Sequence, residues 1–126
     1  MVPEPATLDA SASAMDAGVR LSSPEVRAVL VCDHGRLLGV ITRKTLVRQV
    51  VAPGRDPRAT ALREIAEPPI CTIDVDLPLD AAFQLLEDRD LERVPVTEDG
   101  RLVGVLSRSA LQRRLAEDEP PAEPED

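Results

Sequence analysis

Residues 29–50 read VLVCDHGRLLGVITRKTLVRQV, and residues 94–115 read VPVTEDGRLVGVLSRSALQRRL. The second stretch follows the first at a constant spacing of 65 positions without a gap, so that Gly39 corresponds to Gly104 and Thr42 to Ser107. Each stretch holds an apolar run, a polar turn with glycine, a second apolar run and a segment with helical spacing. The chain therefore contains a tandem repeat whose unit ends in a hairpin and a helix.

A strand and a helix precede each hairpin, which gives the order βαββα in both copies. In the first copy, the pattern predicts a strand at 6–8, a helix from small polar caps at 9–13 to about Leu21, strands at 28–32 and 37–42, and a helix at 44–51. In the second copy, it predicts a strand at 70–73, a helix at 78–89 capped by Asp76, strands at 93–97 and 102–107, and a helix at 109–115. A short connecting helix is predicted from Asp56 and Pro57 through Leu62 and Ile65.

The first helices of the two copies differ in the size of their apolar faces. The first copy presents Ala14, Ala17, Gly18 and Leu21, whereas the second presents Leu79, Ala82, Phe83 and Leu86. The slim first face is expected either to pack tightly against the bulkier helix or to let another backbone approach closely.

The length of 126 residues fits one domain in which two small copies share a core. Apolar residues make up 43% of the chain, yet Phe83 is the only aromatic residue, so the core must be aliphatic. We expect a flexible lead-in at 1–5, a first repeat at 6–51, a linker at 52–69, a second repeat at 70–115 and a disordered acidic tail at 116–126. The tail is expected to keep the chain in solution, with partner binding as the alternative.

The net charge of -8 comes mostly from this tail, since six of the last ten residues are acidic. Removing these six from the 23 acidic residues leaves 17 against 15 basic residues. A nearly neutral body with an acidic tail gives no electrostatic basis for nucleic-acid binding. The absence of a long apolar run predicts no membrane span and favours the cytoplasm.

Few residues suit catalysis or metal binding. His34 is the only histidine and lies in a polar turn, where exposure is expected, and Asp74 and Asp76 are spaced for capping rather than for paired acid–base work. Cys32 and Cys71 lie in apolar runs without metal-binding spacing, which favours buried reduced thiols over a disulfide. We therefore expect no enzyme and no required cofactor.

Two βαββα units, each with a hairpin of the form V-x-V-x-x-x-G-R-L-x-G-V-[IL]-[ST]-R, resemble the cystathionine β-synthase (CBS) domain over about residues 6–115. A tandem pair resembles the CBS pair, or Bateman module. The resemblance implies a mixed α+β fold with two repeats packed about a pseudo-two-fold axis. It also implies a regulatory module for signal transduction, with clefts that bind AMP, ATP or other adenosyl ligands, and association into a homodimer.

In that family, a cleft combines the first strand and hairpin start of one repeat with the loop after the last strand of the other. One cleft would gather Thr72, Ile73 and Arg93 with Thr42, Lys44 and Thr45. The other would gather Thr7, Leu8 and Arg27 with Ser107, Ser109 and Ala110. The family loop ends in an acid that accepts the ribose diol, and here Thr45 and Ala110 take its place.

The site residues also have ordinary structural interpretations. Thr42 and Ser107 suit helix caps whether or not a ligand binds, and Arg43 and Arg108 suit solvated or ion-paired surface positions. The first cleft is chemically richer, because Arg93 and Lys44 could flank a phosphate. Our first hypothesis is a sensor of a small anionic metabolite that signals to an unknown effector protein. The alternative is a ligand-free dimerisation or interaction scaffold that uses the slim face of the first helix.

Overall fold

The computed structural model describes residues 6–69 and 71–118, and it has the predicted mixed α+β architecture. In the first repeat, the elements are β1 Thr7–Asp9, α1 Ala14–Leu21, β2 Val29–Asp33, β3 Arg36–Ile41, α2 Arg43–Leu46 and a π-helical turn Val47–Val51. The linker carries α3 Leu62–Ile65. The second repeat has β4 Ile73–Asp74, α4 Leu79–Asp88, β5 Arg93–Glu98, β6 Arg101–Ser107 and α5 Arg108–Asp118.

The six strands form one sheet in the order β1-β2-β3-β6-β5-β4. The first strand of each repeat pairs in parallel with the second, and each hairpin is antiparallel. The hairpins meet reciprocally at their turns, where Leu37 N donates to Gly100 O at 3.0 Å and Leu102 N donates to Gly35 O at 3.1 Å. This exchange confirms the approximate two-fold relation that the family resemblance implies.

The hairpin turns are also equivalent. Gly35 and Gly100 have φ of 84° and 82°, a region that residues with a Cβ rarely adopt. His34 lies beside Gly35 with its side chain 94% exposed, and its Nδ1 lies 2.9 Å from the Asp33 carboxylate. The predicted exposed turn histidine is therefore confirmed.

Each repeat has its own buried cluster. In the first, Val29, Val31 and Ile41 pack with α1, and in the second, Val94, Val96 and Leu111 pack with α4. The two cysteines are free thiols that are half buried, and burial raises the pKa of Cys32.

The linker covers the slim face of α1. Ala14 N donates to Thr60 O at 2.9 Å, and Leu62 and Ile65 are buried in the same cluster as Ala14 and Ala17. The small side chains of α1 thus allow another backbone, that of the linker, to approach. This confirms the expectation of a close backbone approach rather than that of packing against the bulkier helix.

Several predicted element boundaries are wrong. The connecting helix begins at Leu62 and not at Pro57, because the Asp56 carboxylate instead accepts a hydrogen bond from Arg58 N and closes a turn. Asp76 does not cap α4, which begins after Pro78; the Asp74 carboxylate accepts from Asp76 N at 2.9 Å.

The remaining differences concern α2, β4 and the chain ends. The predicted helix at 44–51 divides into α2 and the π-helical turn, where Ala52 N donates to Val47 O. The predicted strand at 70–73 is observed only as Ile73–Asp74, and Ile70 lies outside the described residues. Helix α5 runs to Asp118, past the predicted start of the tail, whereas the lead-in at 1–5 and residues 119–126 lie outside the described part.

Candidate ligand cleft

The loop between β3 and α2 is closed by a reciprocal pair of threonines. Thr42 Oγ1 accepts a hydrogen bond from Thr45 N at 3.2 Å, and Thr45 Oγ1 accepts one from Thr42 N at 3.0 Å. The predicted capping role of Thr42 is confirmed. The two hydroxyl oxygens lie 3.0 Å apart, so they also contact each other directly.

Thr45 connects this loop to the linker. Its side chain is 0% exposed, and its hydroxyl donates to Glu67 Oε1 at 2.6 Å. Arg48 Nη2 lies 3.0 Å from Oε1 and 3.2 Å from Oε2 of the same carboxylate. The threonine at the family's acidic position is therefore in direct contact with an acid from elsewhere in the chain.

The protons in this network follow from the donors available. Thr45 has a single hydroxyl proton, and that proton is donated to Glu67. The Thr42 hydroxyl must then be the donor in the contact between the two threonines. Thr42, Thr45 and Glu67 form a chain of donors that ends on a carboxylate, and each bond polarises the next.

Glu67 is held by backbone pairing next to this loop. Val40 N donates to Glu67 O at 2.8 Å, and Glu67 N donates to Val40 O at 3.0 Å. A Cβ at Gly39 would lie 2.7 Å from Glu67 O, so a larger residue there would push the linker away.

Glu67 is not among the residues predicted for either cleft, because it lies in the linker, outside both repeats. A signal was present, since Pro68 and Pro69 follow it and the residue before a proline favours extended backbone. Extended backbone is what the pairing with Val40 requires.

The corresponding loop of the second repeat is simpler. Ser107 is 6% exposed, and its Oγ accepts a hydrogen bond from Ala110 N at 3.1 Å, which confirms its capping role. Ala110 has no hydroxyl to contact a carboxylate. The sequence position 65 residues before Glu67 is Val2, which has no acid to offer.

The other residues predicted for the first cleft have mixed environments. Ile73 is buried in the second cluster, whereas Thr72, Arg93 and Lys44 are exposed. Within residues 6–69 and 71–118, the side chains of Lys44 and Arg93 make no hydrogen bond or ion pair. In the same residues, no hydrogen bond joins Thr42 to Thr72. The two cationic groups are therefore available to an anion.

The residues predicted for the second cleft lie in β1 and around α5. Thr7 and Leu8 are half buried and pair with Leu30 and Val31 of β2, whereas Arg27 and Ser109 are exposed. This set has a single lysine or arginine, Arg27, so it has less positive charge than the first.

Arg43 and Arg108 have structural partners. Arg43 Nη2 donates to Leu21 O at 2.6 Å and to Ser23 O at 3.0 Å, which fixes the loop after α1. Arg108 lies 3.4 Å from the Asp90 carboxylate and 3.6 Å from that of Glu92. These contacts agree with the surface role expected for both arginines.

A shallow apolar groove of about 310 Å³ lies elsewhere, between α1 and the π-helical turn, and it shares no residue with either predicted cleft. Met15, Gly18, Leu46, Val50 and Val51 are among the residues that line it. Ala17 is 0% exposed and Ala14 is 2% exposed, so these two members of the contact face predicted from Ala14, Ala17 and Gly18 offer almost no surface to a partner, although Ala14 also lines the groove. The exposed side chains here instead include Met15, Val19, Val47 and Val51.

The described residues contain no group of three or more His, Cys, Asp or Glu side chains placed to hold a metal ion. Among the helices in the same part of the chain, none has the length and apolar character needed to cross a membrane.

A family profile for the CBS domain matches residues 1–52 and 62–117. The chain therefore belongs to the CBS domain family and carries a pair of its repeats. Pairs of this family are generally regulatory or sensor modules.

Curated relatives include Hypoxic response protein 1 of Mycobacterium tuberculosis, which is 30% identical over 94 residues that cover 74% of this chain and 66% of that protein. Another is the uncharacterized protein MK0525 of Methanopyrus kandleri, 31% identical over 80 residues that cover 63% of this chain and 41% of that protein. The chain thus spans less than two thirds of the length of both relatives.

Solved structures with the same fold include Staphylococcus aureus OpuCA, with a TM-score of 0.71, 24% identity, and coverage of 90% of this chain and 94% of that one. A structure of Hypoxic Response Protein I with two coordinated zinc ions has a TM-score of 0.72, 23% identity and the same coverage. At these identities the likeness shows the shared fold.

Proposed function

We propose that this CBS pair is a non-catalytic cytoplasmic sensor that binds an adenosyl ligand, such as AMP, ADP or ATP, and passes the occupancy to a partner protein. The observation that carries the proposal is the loop after β3, where the Thr42 hydroxyl is half buried and Lys44, which has no ion-pair partner among the described residues, lies two residues further along. Both hydroxyl positions of the family loop are present, as Thr42 and Ser107.

A phosphate would find suitable donors in the first cleft. Thr42 can redirect its proton from Thr45 to a phosphate oxygen, because Thr45 continues to donate to Glu67. Lys44 and Arg93 supply positive charge, and hydrogen bonds from charged donors to phosphate are stronger than those between neutral groups. Adenine would lie between aliphatic side chains and contact backbone groups.

The direct test is calorimetric titration with AMP, ADP, ATP, NAD and S-adenosylmethionine. We expect at least one to bind, and we expect Thr42→Ala or Arg93→Ala to weaken binding more than Ser107→Ala does. Flat traces for all five ligands at millimolar concentration would contradict the adenosyl proposal. A changed conformation on binding would support the signalling step, since a ligand shifts an equilibrium only by its differential affinity.

The exposed apolar face of the first repeat favours a second candidate function, a ligand-free dimerisation scaffold. Val19 is 64% exposed and follows Gly18 in α1, and Val51 is 70% exposed and lines the groove together with Gly18. The positions 65 residues further along are Gln84 and Ala116, and Asp80 stands where Met15 does. The apolar face thus exists on one repeat alone, and pairing it with the polar face of another copy's second repeat would bury polar groups without partners.

A homodimer with two first repeats facing each other is therefore the arrangement that we propose for this face. Val19→Asp should shift the chain toward the monomer in light scattering after size exclusion, and so should Gly18→Leu. Gln84→Asp is the matched control at the equivalent position of the second repeat and should leave the mass unchanged. A monomeric wild-type chain, or a dimer unaffected by Val19→Asp, would contradict this arrangement.

A further inference from the structure

We infer that Glu67 is the hydroxyl acceptor of the first cleft and selects ligands that carry a sugar diol. This inference rests on the proposed adenosyl function and adds a residue that lies outside both repeated loops. The acid that is absent at Thr45 is supplied by the linker, one hydrogen bond away.

The carboxylate of Glu67 is oriented but not saturated. Oε1 accepts from Thr45 Oγ1 and Arg48 Nη2, whereas among the described residues Oε2 has the Arg48 contact alone, at 3.2 Å. A carboxylate offers about four acceptor positions, so Oε2 retains capacity for another donor. The side chain is 32% exposed, which leaves that capacity accessible.

Backbone and side-chain contacts together fix where this acceptor lies. The backbone of Glu67 pairs with Val40 through two hydrogen bonds, and Gly39 has no Cβ to hold the linker off. The Glu67 side chain is held by the buried Thr45, and Thr45 is held in turn by Thr42. An acceptor fixed in this way loses little conformational entropy when a ligand arrives.

The charge of Glu67 also determines which part of a ligand it can contact. A carboxylate accepts hydrogen bonds from hydroxyl groups and repels phosphate oxygens. A nucleotide would therefore place its ribose hydroxyls at Glu67 and its phosphate near the cations Lys44 and Arg93, which have no ion-pair partner in the described part of the chain. The second cleft has Ala110 in place of Thr45 and, in the sequence, Val2 in place of Glu67, so the same selection is confined to one cleft.

The test compares AMP with 2′,3′-dideoxy-AMP by calorimetry. The wild-type chain should bind AMP more tightly by roughly ten- to a hundredfold, as expected for hydrogen bonds to a charged acceptor. Glu67→Gln should remove most of this preference while leaving the affinity for the dideoxy ligand nearly unchanged. Glu64→Gln is the matched control, because Glu64 is another linker carboxylate in an ion pair with an arginine, Arg55.

The outcomes separate the two proposals. If the wild-type chain binds AMP and its dideoxy analogue equally, or if Glu67→Gln keeps the full preference, the role of Glu67 is overturned and the adenosyl function stands. Because the wild-type comparison needs no variant, it can overturn the role of Glu67 even if Glu67→Gln folds poorly. If neither nucleotide binds the wild-type chain, the role of Glu67 in AMP recognition is overturned, and the adenosyl function is overturned with it only if ADP, ATP, NAD and S-adenosylmethionine also give flat traces.

Discussion

The hydroxyl of Thr45 donates to the carboxylate of Glu67 across 2.6 Å, and this bond joins the first repeat to the linker that leads into the second. The two residues are 22 positions apart in the sequence, and Thr45 is completely buried. The bond therefore fixes the linker beside the candidate cleft. It also gives the buried hydroxyl of Thr45 a hydrogen-bond acceptor.

Thr45→Val should measurably destabilise the chain. The substitution keeps the shape of the side chain but removes the donor to a charged acceptor, and such bonds contribute roughly 1.5–3 kcal/mol. The free energy of unfolding in urea is the measurement. Thr97→Val is the control, because the Thr97 hydroxyl makes no hydrogen bond in the described part of the chain and its loss should cost roughly 0.5 kcal/mol or less. Equal effects of the two substitutions would argue against a role for the Thr45 bond.

Two glycines of the first repeat should respond to alanine in opposite directions. At Gly39, a methyl group would lie 2.7 Å from the Glu67 carbonyl oxygen and 3.0 Å from Ala66 Cβ, so we expect a loss of about 1–3 kcal/mol from overpacking. At Gly18, within α1, the nearest atom is Leu46 Cδ1 at 3.9 Å, and alanine should stabilise the helix by about 0.5–1 kcal/mol. Thermal unfolding of both variants checks the signs, and a stable Gly39→Ala variant would show that the linker can move away.

The repeat accounts for what the sequence could predict. Both hairpins, their glycine turns and the caps Thr42 and Ser107 follow from periodicity and turn chemistry, which act over a few residues. The bulges in the two hairpins even fall at equivalent positions, at 31/32 and 96/97. Turns and helix caps could be predicted because each depends on residues that are only a few positions apart.

The linker shows where such rules end. Asp56 and Pro57 are residues that often start a helix, yet the helix begins at Leu62. Tertiary packing decides this start, because Leu62 and Ile65 fill the core space beside the small side chains of α1. Glu67 belongs to the candidate site through tertiary contacts with Val40 and Thr45. Neither contact could be predicted from the periodicity of apolar residues, because each joins residues that are more than 20 positions apart.

Leu62→Ala tests whether the linker is part of the first core. Leu62 is 0% exposed, and its removal should cost about 2–5 kcal/mol through lost burial and the cavity that remains. Leu38→Ala is the control, because Leu38 is 46% exposed and its truncation leaves no enclosed cavity. Urea unfolding of the two variants should separate them clearly. Similar, small effects would show that the linker packs loosely on α1.

The linker should also make stability depend on pH through Glu64. A hydrogen bond from Ala61 N, and then the ion pair with Arg55, lowers the pKa of the Glu64 carboxyl from its ordinary value of 4.5. Because the folded pKa lies below the unfolded one, the stabilisation is fully present above 4.5 and is lost as the pH falls through the folded value.

Glu64→Gln mimics the protonated, uncharged side chain, so it removes only the part of the stability that depends on charge. The variant should be less stable than the wild type near pH 7, and the difference should shrink steadily as the pH falls below 4.5 and Glu64 of the wild type becomes protonated. Glu98→Gln is the control, because the Glu98 carboxylate makes no ion pair or hydrogen bond within the described residues. Urea unfolding at several pH values gives the comparison, and a Glu64→Gln difference that stays constant or grows on acidification would contradict the lowered pKa.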